Sequence, residues 1–517
     1  MRRKAASASA TTALFAIAVM VAATCLSVFY ASPFARTWDE VDFALALQRY
    51  DLLAMQPHFP GYPYFILGGW LFHRWVNDPV QALAIFNSAM ALSSAVPMAL
   101  LAHRCTSGGV KSLLLPALVL TSPYLWLMAA RPMSECAGMA LLWWYLWSVR
   151  YAMDRPISLP RHMLALFMFG LLMGTRLSFF PFGLALLPLW MAIIEQEGGR
   201  LRRWGRLGFS AAMTVLFQLI WVAGLILSEG TLSGFWKLSF AFVAGHFSEW
   251  GGGVVSIPMP LGERLVRLLG LNLFESSLTG GSAVIGALLS LVALAPLASF
   301  AWRPLLTRGY HWSTNQKFML WLAGCALLYA LWALFGQNIE KPRHVVPVVA
   351  PLLLILYVAA VRTAEALSSE RRTVQPQLRR IASGLINILL IVLISIQFVY
   401  GAQLQKQQAG EEPAVYQLHR YVSSQHEPLV LFTWEETRVL QYLGAAYDHQ
   451  RIYTYGYFLA IAQAEPGRRV LLTDHVVQGF EDQGKPIRDH VKKMAEFKSA
   501  LLFDPVYAEI TLYEWIR

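Results

Sequence analysis

Long apolar stretches recur along this chain, separated by short basic loops, and no other feature constrains its fold as strongly. A helix that crosses a bilayer needs about 20 predominantly apolar residues. Stretches of that kind are expected near 12–30, 80–101, 111–130, 136–149, 162–176, 179–194, 207–227, 281–301, 318–335, 345–361 and 381–399. The reading is therefore a polytopic α-helical membrane protein of about eleven spans, with 136–149 and 162–176 the short ones. Composition agrees: 56% of the 517 residues are hydrophobic and 14% charged, against roughly 25% charged in soluble domains. Lipid accepts that much apolar surface when the backbone is satisfied within helices.

The net charge of +11 would suit nucleic acid, but the lysines and arginines gather in loops at 2–4, 104–111, 150–161, 200–206, 303–317 and 362–380. These are alternate loops, the pattern of cytoplasmic loops in a multi-pass protein. No nucleic-acid partner is expected. The N-terminus is then cytoplasmic, with 12–30 a retained signal-anchor helix. The loops 31–79 and 228–280, the turn at 131–135, the loop 336–344 and everything after Gln403 fall on the other side. The four cysteines, Cys25, Cys105, Cys136 and Cys325, lie in or beside apolar stretches. Buried free thiols are expected rather than disulfides.

From 403 to 517 the chain turns polar. Strand-like runs at 429–432, 451–455, 470–472 and 509–513 alternate with helix-like runs at 412–422, 435–443 and 487–497, which predicts a small extracytoplasmic α/β domain. The expected division is a spanning domain over 1–402 and this domain over 403–517.

Four constellations on the external side carry possible chemistry. The first is Thr37-Trp38-Asp39-Glu40-Val41-Asp42, followed by His58-Phe59-Pro60-Gly61-Tyr62. The apolar spacing over 41–51 predicts a helix lying along the membrane surface. A carboxylate there can take a proton from a hydroxyl, or simply sit at a helix N-terminus. The second is Arg131-Pro132-Met133-Ser134-Glu135, where Arg131 and Glu135 either pair structurally or face a polar cavity. The third is Lys341-Pro342-Arg343-His344 at the start of the tenth span. Guanidinium groups and helix N-termini suit phosphate, and basic side chains also snorkel at interfaces. The fourth is His246-Phe247-Ser248-Glu249 before Gly251–Gly253. His246 and Glu249 would share a helix face, but two ligands are fewer than a metal site wants.

The order of these features resembles the GT-C superfamily of glycosyltransferases, in particular the branch containing protein O-mannosyltransferases and lipid A aminoarabinose transferases. Asp39-Glu40 looks like that family's acidic pair, His58-Phe59-Pro60-Gly61-Tyr62 like its His-Pro-Pro-x-Tyr segment, and Arg343-His344-Val345-Val346-Pro347 like its Arg-Tyr-x-x-Pro segment. Phe59 stands where the family has proline, and His344 where it has tyrosine. Glu135 stands slightly later than the carboxylate many relatives carry. The resemblance implies sugar transfer, with inversion, from a polyprenyl-phosphate-linked donor to a glycan, lipid or protein acceptor at the external face of the plasma (inner) membrane. It further implies Asp39, Glu40 and Glu135 as catalytic residues, with Asp39 the base. His58, Tyr62, Arg131, Lys341, Arg343 and His344 would bind substrate. Family members differ in metal dependence, so no ion is assigned. The rival reading is a transporter or flippase of a lipid-linked saccharide. Transporters usually place charged sites near the midplane, between repeated halves. Here the charges lie on one face, and no repeat is visible.

Overall fold

The computed structural model describes residues 2–250, 259–298, 312–369, 376–464, 467–499 and 508–516. The Gly251–Gly253 run and most of the basic loop at 303–317 lie outside them. The first helix, α1 (Arg2–Phe29), is followed by two short helices outside the bundle, α2 (Trp38–Gln48) and α3 (Pro63–His73). Asp78 caps the next helix by accepting from Gln81 N at 2.8 Å, with Pro79 in the first turn, where its missing N–H has no cost. This is α4 (Pro79–Ser93), which runs on into α5 (Ala95–Cys105). Then come α6 (Leu114–Leu120), α7 (Pro123–Ala129), α8 (Ser134–Met153), α9 (Leu159–Thr175), α10 (Leu187–Gln196), α11 (Arg200–Glu229), α12 (Leu232–Gly245), α13 (Leu261–Val266), α14 (Ala283–Ala298), α15 (Thr314–Gly336), α16 (Val346–Ser369) and α17 (Pro376–Gly410).

Seven helical stretches are long and apolar enough to cross a membrane, and two bent pairs raise the number to nine among the described residues. The bends are 73° between 110–120 and α7, and 104° between 261–278 and 283–294. Of the eleven expected spans, two fall short of that measure. Leu159–Thr175 is only 17 residues long. α8 is rich in tryptophan and carries Glu135 and Arg150. It is buried along most of its length, so its neighbours rather than lipid surround it, and its composition need not be uniformly apolar. Cys105, Cys136 and Cys325 are buried free thiols; Cys25, expected buried, is exposed.

The basic loops meet at one end of the bundle. Arg104 pairs with Asp154, Arg150 Nε donates to Asn315 Oδ1 at 2.8 Å, and Arg362 Nε donates to the Cys105 carbonyl at 2.7 Å. Loops expected on a common side are thus joined in space. The other end carries the α/β domain: α18 (Ala414–Ser423), β1 (Leu429–Thr433), α19 (Glu436–Tyr442), β2 (Asp448–Arg451), α20 (Tyr455–Ala464), β3 (Arg469–Thr473), α21 (Asp474–Asp482), β4 (Val491–Lys498) and β5 (Glu509–Trp515). The sheet order is β2-β1-β3-β5-β4, with β1 parallel to β2 and β3, and β5 antiparallel to β3 and β4. The stretch 487–497, expected to be helical, is mostly β4. Pairing with β5 overrides the helix-forming run Met494-Ala495-Glu496, and Phe497 turns into the core.

Alternation along β1 feeds two cores: Leu429 and Leu431 face one, Val430 and Phe432 the other. The first core also takes in Ala35, Val41 and Ala44, while Phe43, Ala46 and Leu47 of the same helix pack into the bundle. α2 is therefore clamped between bundle and sheet. It starts earlier than the sequence suggests and does not lie on a surface, because both of its sides are apolar and both find a partner.

Candidate active site

Clamping α2 decides the fate of its three acids. Thr37 caps the helix, its Oγ1 accepting from Glu40 N at 3.3 Å. Asp39 and Glu40 lie in the first turn, where the helix dipole favours negative charge. Being adjacent on a helix, they point in different directions. Glu40 is fully buried. Its Oε1 accepts from Arg131 Nε at 2.7 Å and its Oε2 from Arg36 N at 2.6 Å. Arg131 is buried as well. The sequence suggests a catalytic Glu40 and a substrate-binding Arg131; the structure pairs the two side chains with each other, both fully buried. The turn that carries Arg131 is pinned by Asn87, whose Nδ2 donates to the carbonyls of Arg131 and Met133 at 2.7 Å each, while its Oδ1 accepts from Ala137 N at 3.1 Å.

Asp39 is a third exposed, and its Oδ2 lies 2.7 Å from Arg343 Nη2. Arg343 Nε is 3.7 Å from Glu135 Oε1, which is 2.8 Å from Arg176 Nη2. Arg176 Nη1 donates to Ser134 Oγ at 2.6 Å. Four elements far apart in sequence thus supply one chain of alternating charges: Asp39, Arg343, Glu135, Arg176. Of its two carboxylates only Asp39 is open; Glu135 is 1% exposed.

His58 joins Asp39 to Asp42. Its Nδ1 is 3.1 Å from Asp42 Oδ2 and 3.9 Å from Asp39 Oδ1, and its Nε2 is 3.1 Å from the Tyr62 hydroxyl. Tyr62 adopts a left-handed backbone, φ 46°, a conformation that a bulky residue keeps only when its surroundings hold it. Gly61 before it has φ 81°, and a Cβ there would lie 2.4 Å from the Tyr50 hydroxyl. Asp42 Oδ1 accepts from Arg438 Nε at 2.8 Å, so the α/β domain reaches the site through α19.

Burial pushes the Asp39 carboxyl up, but Arg343 first, then His58, Lys341 and Arg176, outweigh it and hold it below the ordinary carboxylate range. Burial works against a charged His58, yet Asp39 and Asp42 outweigh it and its pKa rises. Burial raises the Asp42 carboxyl against the pull of His58 and Arg438. Asp39 is therefore ionised at neutral pH, and its charge favours the protonated form of His58.

The loop 336–344 that presents Lys341 and Arg343 is braced from outside. Arg264 Nε donates to the Leu334 carbonyl at 2.9 Å and its Nη2 to Gln337 O at 3.1 Å. Asn272 Nδ2 donates to Ile339 O at 2.6 Å. His246 Nε2 bonds the Gly336 carbonyl at 2.7 Å, so this histidine, considered above as a metal ligand, serves the loop. His344 Nδ1 bonds Asn338 O at 3.1 Å within the loop. Lys341 Nζ lies 3.7 Å from Glu435 Oε2 of the α/β domain. No group of three or more His, Cys, Asp or Glu able to hold a metal lies among the described residues.

Sequence reasoning missed Arg176, Asn87 and Arg438 and gave Asp42 no role. Arg176 carried a signal: an arginine ending an apolar stretch on the side opposite to the basic loops runs against the charge bias and asks for a local partner. Asn87, inside an apolar run, asked for one too. Arg438 carried none.

No family model matches the sequence, and no curated protein matches it. Solved structures do. ArnT from Cupriavidus metallidurans in the apo state aligns with a TM-score of 0.55 at 11% identity, covering 96% of this chain and 97% of that one. The same protein bound to undecaprenyl phosphate aligns with a TM-score of 0.53 at 11% identity over the same shares. The chain shares the fold of ArnT over nearly its whole length, C-terminal domain included.

Proposed function

We propose that this GT-C fold transfers a sugar from a polyprenyl-phosphate-linked donor to an acceptor hydroxyl at the extracytoplasmic face of the plasma membrane, with the N-terminus cytoplasmic and the α/β domain outside. The observation that carries the reading is the meeting of Asp39, Glu135 and Arg343, three residues singled out in the sequence, at the α/β-domain end of an apolar bundle. The undecaprenyl phosphate bound to ArnT supports a lipid phosphate as the donor's leaving group.

In this reading the acceptor oxygen attacks the anomeric carbon, the bond from that carbon to the phosphate oxygen breaks, and the configuration inverts. Asp39 takes the acceptor's proton, being the open carboxylate of the cluster. Arg343, with Arg176 and Lys341, meets the charge growing on the leaving phosphate. Arg343 pairs with Asp39. A donor phosphate competes for that guanidinium, and as Arg343 turns to it the Asp39 pKa rises toward a range useful for a base. Glu135 keeps Arg343 and Arg176 in place. Glu40 and Arg131 brace the first turn of α2 rather than touch substrate. His58 and Tyr62 line the approach to Asp39.

The test is Asp39→Asn in purified, detergent-solubilised protein supplied with a panel of polyprenyl-phosphate sugars and candidate acceptors. Transfer should fall by about 10²- to 10⁴-fold, and full activity would remove Asp39 from the role. Movement of saccharide or lipid across proteoliposomes without any covalent product would replace transfer with the transport reading.

A further inference from the structure

At the carboxyl ends of the three parallel strands sits an arginine with no acidic partner among the described residues. Arg451 ends β2, and its Cζ lies 4.2 Å from the Trp434 ring centroid, 4.6 Å from Tyr453 and 5.0 Å from Trp38. Trp434 and Tyr453 meet edge to face at 5.0 Å. The other basic side chains of this region are paired: Arg438 with Asp42, Lys341 with Glu435, His475 with Glu436. Three rings surround the Arg451 guanidinium, and rings stabilise a cation without neutralising it. Its Nε is buried without a hydrogen-bond partner, and so is Nε1 of Trp38, the ring it touches. Two N–H donors on neighbouring side chains therefore lack an acceptor among the described residues, an arrangement that native interiors rarely leave unfilled.

The place fits a ligand. β1 lies between β2 and β3, so the chain crosses to opposite sides of β1 there, and ligands of open parallel sheets bind outside the carboxyl ends at such a switch point. Tyr453 is 58% exposed, so one wall opens to solvent. Trp38 immediately precedes Asp39 in α2, so this place lies next to the site described above. Flat aromatic walls suit the apolar face of a sugar ring, and a guanidinium fork suits a carboxylate or phosphate.

We propose that Arg451, Trp38, Trp434 and Tyr453 form a subsite for an anionic saccharide, one bearing a carboxylate or a phosphate. Its use as the acceptor site rests on the transfer reading above; its existence as a binding site does not.

The test is binding without turnover. Saturation-transfer NMR on the full chain in detergent at low salt would compare glucuronate, glucose 1-phosphate and uncharged glucose. Both charged sugars should bind at least about tenfold more tightly than glucose. Arg451→Gln should bring them down to glucose's level, Arg451→Lys should restore part of the affinity, and Arg343→Gln should leave glucuronate binding unchanged. Tyr453→Leu, which leaves every charge in place, should weaken all three sugars and keeps the test open if Arg451→Gln fails to fold. Equal binding of the three sugars overturns the proposal. So does charged-sugar binding that survives Arg451→Gln but is lost in Arg343→Gln. A chain that binds these sugars but transfers nothing would leave the subsite standing and remove the transferase reading, and a chain that transfers sugar but ignores Arg451→Gln in binding would do the reverse.

Discussion

Asp39 and Glu40 are neighbours on one helical turn, each is paired with an arginine, and the two centres around them differ in almost everything else. Around Glu40 both partners are buried, both carboxylate oxygens are engaged, and Asn87 fastens the turn that brings Arg131. Around Asp39 the carboxylate is a third open, Arg343 is shared with Glu135, and His58 stands at the edge. A closed ion pair gives placement. An open, shared one gives a group that a ligand can re-partner. The difference divides the acidic pair into a closed ion pair and an open carboxylate, a division set by which side of α2 each residue occupies.

The largest effect should come from the open centre: Asp39→Asn should abolish most transfer while the unfolding temperature in detergent stays near wild type. Glu40→Ala should do the opposite. It removes the carboxylate that faces buried Arg131, a loss of about 3–5 kcal/mol of stability, read as reduced yield of folded protein and a lower unfolding temperature. If Glu40→Ala folds normally and fails only in chemistry, the brace assignment is wrong. Arg343→Lys keeps the charge but not the planar fork that spans Asp39 and Glu135. Its transfer rate should fall on the order of tenfold to hundredfold, with the donor concentration for half-maximal rate rising. An unchanged rate would mean that position 343 supplies charge alone.

The smallest effect lies in the α/β domain. Glu436, then the partly offsetting burial, and Asp474 set the His475 pKa, which is raised to about 9. A group whose folded pKa exceeds its unfolded value stabilises fully below the unfolded pKa and loses that contribution as pH rises through the folded one. Between about pH 6.5 and 9 the domain should therefore lose on the order of 2–3 kcal/mol, seen as faster amide exchange in β1 and β3 once corrected for intrinsic rates. In His475→Gln that pH dependence should vanish.

The motifs that were legible in the sequence were short and local: the acids after the first apolar run, the arginine opening the tenth, the turn at 131–135. Their pairing was not legible, because the bond from Arg343 to Asp39 joins positions 304 apart and that from Arg131 to Glu40 positions 91 apart. The site's link to the α/β domain through Arg438 and Asp42 is longer still. In that domain the strands whose side chains are buried were readable, as at Leu429–Thr433. The edge strand Val491–Lys498, largely exposed and rich in lysine, was not, since a strand open on one side needs little apolar patterning.

The sequence by itself determined that the chain lives in a membrane, that its basic loops share one end, and that its unusual charges share the other. Those are properties of transfer free energy, which composition carries residue by residue. Only the tertiary structure decided that α2 is clamped between bundle and sheet, that Glu40 is closed off while Asp39 is left open, and that Arg451 lies among aromatic rings. Burial and charge pairing depend on what packs against a residue, and the decisive partners lie far along the chain, 91 positions away for Glu40 and 304 for Asp39.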